Sequence, residues 1–429
     1  MSSKTMAARN NLRKIYVYAH WKGLQEPVVM GELRAEFVRG KEIFSFSYYN
    51  DWLKTTSSQN LDPQLFLFSG AQYAGDENLN FGVFLDSSPD RWGRMLMKRR
   101  EAALARSEKR PEMTLRESDY LLGVFDGHRM GALRFKENPD GPFLNNNEEF
   151  AAPPWTSLTE LEHISLRLEE EDSIDDPEYI KWLTMLVNPG SSLGGARPKA
   201  SVLDDAKNLW IAKFPSKSDT KDIGGWEMVA NELAKSSGIN VAPSMVKTFS
   251  GRHHTFLTKR FDRTDIGERI HFASAMTMLG HKDGDSYREG ASYLEIADFL
   301  ASRGASVESD LQELWTRIVF NIMIANTDDH LRNHGFLLEN KGWVLSPAFD
   351  VNPDENGTGL SLNISLSDNA LDLDLALEVL EFFRMDRERG LRIIARIKES
   401  VSRWRRIADR YKLPRSEQDR MAKVFERFI

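Results

Sequence analysis

The segment from Leu311 to Asp350 restricts the possible fold more than any other part of the sequence. Leu311, Leu314, Trp315, Ile318, Val319, Ile322 and Met323 recur at the spacing of a helix with a broad apolar face. Where that pattern stops, the stretch NTDDHLRNH (326–334) crowds Asp328, Asp329, His330, His334, Asn326 and Asn333 together. GFLLE (335–339) and GWVLS (342–346) then read as a hairpin leading to Pro347 and Asp350. A long apolar helix that delivers such a loop onto a hairpin is a rigid support for polar side chains.

The remaining chain reads as two further regions. Near the start, KIYVYAHW (14–21) and FSFSYYNDWL (44–53) are strand-like, and RWGRMLMKRREAALAR (91–106) is helical, which predicts a small mixed domain. ENPDGPFLNNNEEFAAPP (137–154) has no period and reads as a connector. Ser157 and Glu160 then have capping-box spacing before Leu158, Leu161, Ile164 and Leu168, so a helix is expected; the acidic run 169–178 reads as its solvated end.

From residue 191, SSLGGARPK precedes KASVL (199–203), a polar turn and LWIAKFP (209–215), the pattern of a glycine loop followed by a β-hairpin. WEMVANELAKSSG (226–238) is an amphipathic helix stopped by Gly238, and HTFLTKRFD (254–262) is another strand. Beyond about residue 263 helices dominate, ending with Ile394, Ile397, Val401, Trp404 and Ala408 on one face. The expected division is 1–150, 151–262 and 263–429.

With 429 residues, the chain is long enough for several domains and a sizeable core. It has no cysteine, which excludes thiolate nucleophiles, disulfides and cysteine-ligated metals. No apolar run approaches the roughly 18 residues of a membrane span, and MSSKTMAARNNLRK lacks a signal-peptide core, so a cytoplasmic location without membrane contact is expected. A net charge of −7 argues against a broad DNA-binding surface.

Asp328, Asn333 five positions later, and Asp350 after an intervening hairpin have the order in which protein kinases arrange a catalytic base and two magnesium ligands. Phosphoryl transfer needs positioning and charge neutralisation more than covalent help. The conjunction of NTDDHLRNHGF, LSPAFDVNP, SSLGGARPKA, IAKFP and LTKRFDR, with SPDRWGR (88–94) in the N-terminal half, resembles the HipA family of bacterial serine/threonine kinase toxins.

That resemblance implies an α+β, protein-kinase-like two-lobed fold with a mainly helical C-terminal lobe, preceded by a small mixed α/β accessory domain. It implies ATP and Mg2+ as cofactors, Asp328 as catalytic base, and Asn333 and Asp350 as metal ligands. Lys213 would contact ATP phosphates with Glu227 as its helix partner, and Lys259 to Phe261 would form the adenine hinge. Gly194, Gly195 and Ala196 would cover the phosphates, His330 would position the loop or touch phosphate, and Ser192, or adjacent Ser191, would be autophosphorylated. The implied role is the toxin of a toxin–antitoxin pair. Its protein substrate would be a translation component such as an aminoacyl-tRNA synthetase, and its partner a HipB-type helix-turn-helix antitoxin through which DNA is contacted.

Other readings of the same residues give a small-molecule or lipid kinase, a non-catalytic regulator that keeps the fold, or a transition-metal site of Asp328, Asp329, His330 and His334. The metal reading leaves Lys213 and the glycine loop without a role. His253, His254 and His271 read as structural.

Overall fold

The structure is a computed structural model that describes residues 11–429 except 76, 171, 172, 175, 187–194, 196, 250 and 341. Five strands form the first sheet: β1 (Leu12–Ala19), β2 (Val28–Val38), β3 (Lys41–Tyr48), β4 (Gln72–Tyr73) and β5 (Leu133–Lys136). Their order is β4-β3-β2-β1-β5, antiparallel throughout. Strand side chains alternate between faces, and the inward set, Ile15, Val17, Leu33, Ala35, Phe44 and Phe46, is buried. The run 44–53 divides in two, because the strand stops at Tyr48 and Asn50–Leu53 coils into a helical turn that buries Trp52.

The helix Arg91–Ser107 begins at the N-cap Asp90, whose carboxylate accepts from the Gly93 amide at 2.8 Å. Its Trp92, Leu96 and Ala103 share an apolar cluster with the helices Leu158–Arg167 and Tyr179–Leu186 and with residues of the second sheet. The expected capping box at Ser157 does not form. A 3-10 turn, Trp155–Ser157, runs directly into the helix, so Ser157 already has helical backbone and makes no side-chain cap. The acidic run is also less solvated than expected at its start: Glu169 accepts from the Lys217 amide at 2.7 Å, and Glu170 pairs with Arg167 and Lys217.

The second sheet contains β6 (Lys199–Leu203), β7 (Leu209–Lys213), β8 (Ser244–Lys247) and β9 (Thr255–Lys259), in the order β6-β7-β9-β8. The helix Ile223–Ser236 packs behind it and starts three residues before the sequence pattern, because Asp222 caps the Gly225 amide at 2.9 Å. It ends before Gly238, whose φ of +85° favours a residue without a Cβ.

In the C-terminal part, the helix Val307–Ile324 is buried along most of its length from Leu311 onward. A third sheet, β10 (Phe272–Ser274), β11 (Gly335–Glu339) and β12 (Gly342–Leu345), lies beside the loop that follows this helix. The terminal apolar face is carried by two helices, Arg387–Val401 and Trp404–Arg410, and Trp404 stacks on Phe425 with centroids 5.0 Å apart.

The N-terminal region grips both later parts. Arg260 donates to the carbonyl of His128 at 2.5 Å, and the Gly131 amide donates to Asp262 at 2.8 Å. Asp86 accepts from the amide and hydroxyl of Ser274 at 2.7 and 2.8 Å. Burial would raise the Asp262 carboxyl, but Arg260 and Arg263 outweigh it and hold it down to about 2. Among the described residues no helix is long and apolar enough to cross a membrane.

Candidate active site

Lys213 ends β7 with its ammonium turned inward, where it donates to Glu227 and to Asp350, both at 2.6 Å. Three distant segments thus meet at one nitrogen: a strand, the helix Ile223–Ser236 and the segment that follows the third sheet. Burial would lower the Lys213 pKa, but the two carboxylates overcome it and raise it above the ordinary value. Asp350 is held down to about 2, since the Lys213 charge outweighs its burial. Glu227 moves the other way: burial raises it, and the Asp350 charge adds to that against the pull of Lys213.

Asp350 sits at φ +58°, in the left-handed region that Asp tolerates better than most side-chain-bearing residues. Its Oδ1 also accepts from the Asn352 side chain at 3.2 Å, and the Asn352 amide donates to Asn326 Oδ1 at 3.2 Å. The second carboxylate segment is therefore tied to the polar loop.

That loop begins with Ala325, again left-handed at φ +48°, which turns the chain sharply off the helix. Asp329 is the buried pin. Its Oδ2 faces three groups: it accepts from Tyr293 at 2.6 Å and from the Asn321 carboxamide at 2.7 Å, and lies 2.8 Å from the His334 ring. Burial alone would raise this carboxyl, but His334 and these donors lower it below the ordinary range. Asp328, adjacent, points outward and is exposed. Partial desolvation raises its pKa, opposed by His330 and reinforced by Asp350, Asp329 and Asp354. Asn333 donates to the Asp328 carbonyl at 2.9 Å, and its own amide donates to the His330 carbonyl at 2.8 Å, closing the turn 328–333.

Beside Lys213 and Asp350 a cleft is lined by Ile211, Phe256, Lys259, Phe261, Phe349 and Val351. Its walls are mostly apolar, as suits a flat aromatic ligand. In the expected hinge, the Lys259 amide already donates to Pro243 at 2.8 Å and the Arg260 amide to Leu209 at 2.9 Å; Phe261 packs against Phe349 with centroids 5.5 Å apart. A second opening is lined by Asp328, His330, Arg332, Asp283, Arg91 and Gly195.

The structure thus brings Lys213, Glu227 and Asp350 into direct contact, links Asn333 to Asp328, and places Lys259 and Phe261 in the adjoining cleft. Gly195 is exposed and its carbonyl accepts from Lys199 at 2.9 Å. Gly194, Ala196, Ser191 and Ser192 lie outside the described residues. Asp329 and His334 are committed to each other and to Tyr293 and Asn321, which removes the set needed for the transition-metal reading. Asn333 and Asp350 instead offer a carboxamide and an ionised carboxylate, hard oxygen donors of the kind magnesium takes alongside phosphate oxygens. His254 contacts Asp222, and His271 is enclosed near Trp21 and Trp343, so both are packing residues. Sequence reasoning missed the pinning roles of Tyr293, Asn321 and Asn326. The only signal is that Asn321 and Asn326 interrupt or end an otherwise apolar face.

Residues 191–421 match the family model described as the HipA-like C-terminal domain. The chain belongs to the HipA family. A curated relative, the serine/threonine-protein kinase toxin HipA of Shewanella oneidensis, is 26% identical over 225 residues, 46% of this chain and 52% of that protein. A putative kinase of Haemophilus influenzae is 24% identical over 179 residues, 38% of this chain and 52% of that protein. The chain spans about half the length of these relatives. Among solved structures, the Shewanella oneidensis complex of HipA, HipB and operator DNA aligns with a TM-score of 0.64 at 19% identity, covering 96% of this chain and 95% of the matched chain. The fold is that of a HipA-type, protein-kinase-like α+β protein.

Proposed function

We propose that this HipA-family chain is an ATP- and Mg2+-dependent protein serine/threonine kinase and the toxin of a toxin–antitoxin pair. The observation that carries the reading is Lys213, held at 2.6 Å from both Glu227 and Asp350 at the mouth of an apolar cleft. In this reading residues 1–150 form the accessory domain, 151–262 the nucleotide lobe and 263–429 the catalytic lobe.

The acceptor hydroxyl gives its proton to Asp328 as its oxygen bonds to the γ-phosphorus and the bond to the ADP oxygen breaks. The raised carboxyl of Asp328 makes it a better proton acceptor than an ordinary surface aspartate. Lys213 turns from Asp350 towards phosphate oxygens, while Glu227 keeps it oriented. Asn333 and Asp350 would hold magnesium, which when bound neutralises charge on the transferring group. Asp329, fixed by Tyr293, Asn321 and His334, keeps the loop in register. The cleft beside Lys259 and Phe261 takes the adenine, Gly194, Gly195 and Ala196 cover the phosphates, and His330 steadies the loop near them.

The names of the relatives support a toxin role, a HipB-type antitoxin partner and DNA contact through that partner. An aminoacyl-tRNA synthetase as substrate and autophosphorylation at Ser192 belong to the same proposal. The test is incubation with labelled ATP, magnesium and host lysate, comparing the wild type with Asp328→Asn. A protein labelled only by the wild type is expected; equal labelling by both refutes Asp328 as base, and a labelled metabolite in its place redirects the substrate class. A phosphopeptide map of the chain itself checks Ser192.

A further inference from the structure

Lys199, at the start of β6, is a buried lysine that the mechanism above does not use; it is 2% exposed. It pairs directly with Lys213 across the β6–β7 register. Opposed residues of an antiparallel pair lie on the same face, so both ammonium groups approach the site from one side of the sheet.

Its partners come from two directions. The Nζ donates to Asp90 Oδ2 at 2.7 Å and to the Gly195 carbonyl at 2.9 Å, and the Lys199 carbonyl accepts from the Trp92 indole at 3.2 Å. Asp90 is itself 2% exposed and is the N-cap of the helix Arg91–Ser107, so its carboxylate is fixed at both oxygens. A rigid helix end in the N-terminal half thus holds a lysine that holds the backbone of Gly195.

We propose that Asp90 and Lys199 are positioning residues for nucleotide binding: the N-terminal helix cap fixes Lys199, which fixes the backbone at Gly195 in the opening that contains Asp328. This rests on the kinase reading. Neither residue touches the acceptor, so their removal acts on ATP capture and leaves the transfer step itself largely intact.

The test uses the full chain with Mg-ATP as probe. Asp90→Asn keeps an oxygen for the Gly93 amide while removing the charge that faces Lys199, so it separates capping from positioning. Asp90→Asn and Lys199→Met are each expected to raise the KM and Kd for ATP by about 10- to 100-fold, the scale of a lost charge-assisted hydrogen bond. kcat at saturating ATP should stay within about threefold, the pattern of lost ground-state binding. Asp90→Glu should restore part of the affinity.

The double variant should bind no worse than Lys199→Met, because the two residues act in one chain of contacts. It also leaves no unpaired buried charge, so it carries the test if a single variant does not fold. Wild-type ATP affinity in these variants overturns the proposal. A wild-type chain that binds no Mg-ATP refutes the kinase reading instead. Amide exchange at residues 197–203 without nucleotide then decides the anchoring: faster exchange in Asp90→Asn supports it, and unchanged exchange overturns it.

Discussion

Replacing Lys213 by Met removes the cation that faces both Glu227 and Asp350 at 2.6 Å. Breaking a buried ion pair costs about 3–5 kcal/mol, because the remaining charge keeps its desolvation penalty without its partner. Here two carboxylates are left facing each other. Unfolding entropy of about 2.1 cal/mol/K per residue gives roughly 0.9 kcal/mol/K over the whole chain, so the loss corresponds to a fall in Tm of about 3–6 °C if it unfolds as one unit. The fall should depend on pH in a definite direction. Burial and Asp350 already raise Glu227, and without Lys213 it rises further above its unfolded value. A carboxyl with a raised folded pKa gains stability as pH falls, since the folded state then binds the proton more tightly. The Tm difference between wild type and Lys213→Met, read by calorimetry, should therefore be largest near pH 8 and shrink towards pH 5. A difference of equal size at both pH values, or none, refutes the buried triad.

Asp328→Asn should lower the transfer rate by about 10²–10⁴-fold while ATP binding, followed by calorimetric titration, changes little. Asp350→Ala should weaken nucleotide binding in magnesium far more than in EDTA; identical losses in both would count against a metal ligand. Because His330 pulls the Asp328 carboxyl down, His330→Ala should shift the acid limb of the pH–rate profile to higher pH, and a shift the other way would contradict the assignment. The depressed carboxyl of Asp262 contributes stability that is present above its unfolded pKa of about 4 and lost as pH falls towards 2, so Arg260→Ala should raise the midpoint of acid unfolding.

The sequence order of Asp328, Asn333 and Asp350 was legible because each side chain follows an element with a clear period: the helix Val307–Ile324 and the hairpin β11–β12. Lys213 and Glu227 were legible through the family pattern, but their contact was not, since a lysine at a strand end reads equally well as solvated. Short elements hid from the pattern. β8 and β10 have four and three residues, too few for alternation to register, and both are defined by the strands they pair with. Ser157 misled because capping-box spacing says nothing about a preceding 3-10 turn that has already made the serine helical. The pairing of Asp90 was not read from the sequence, because it depends on a lysine 109 positions away, a separation no local pattern spans.

The grip of Arg260, Asp262 and Arg263 on the carbonyls and amide of residues 127–131 bears on how this chain can be dissected. Excising the family-matched portion, 191–421, would strip these charged groups of their backbone partners and uncover the apolar surface beneath β1 to β3. Such a fragment is expected to be recovered aggregated, so comparisons of catalytic competence belong on the intact polypeptide.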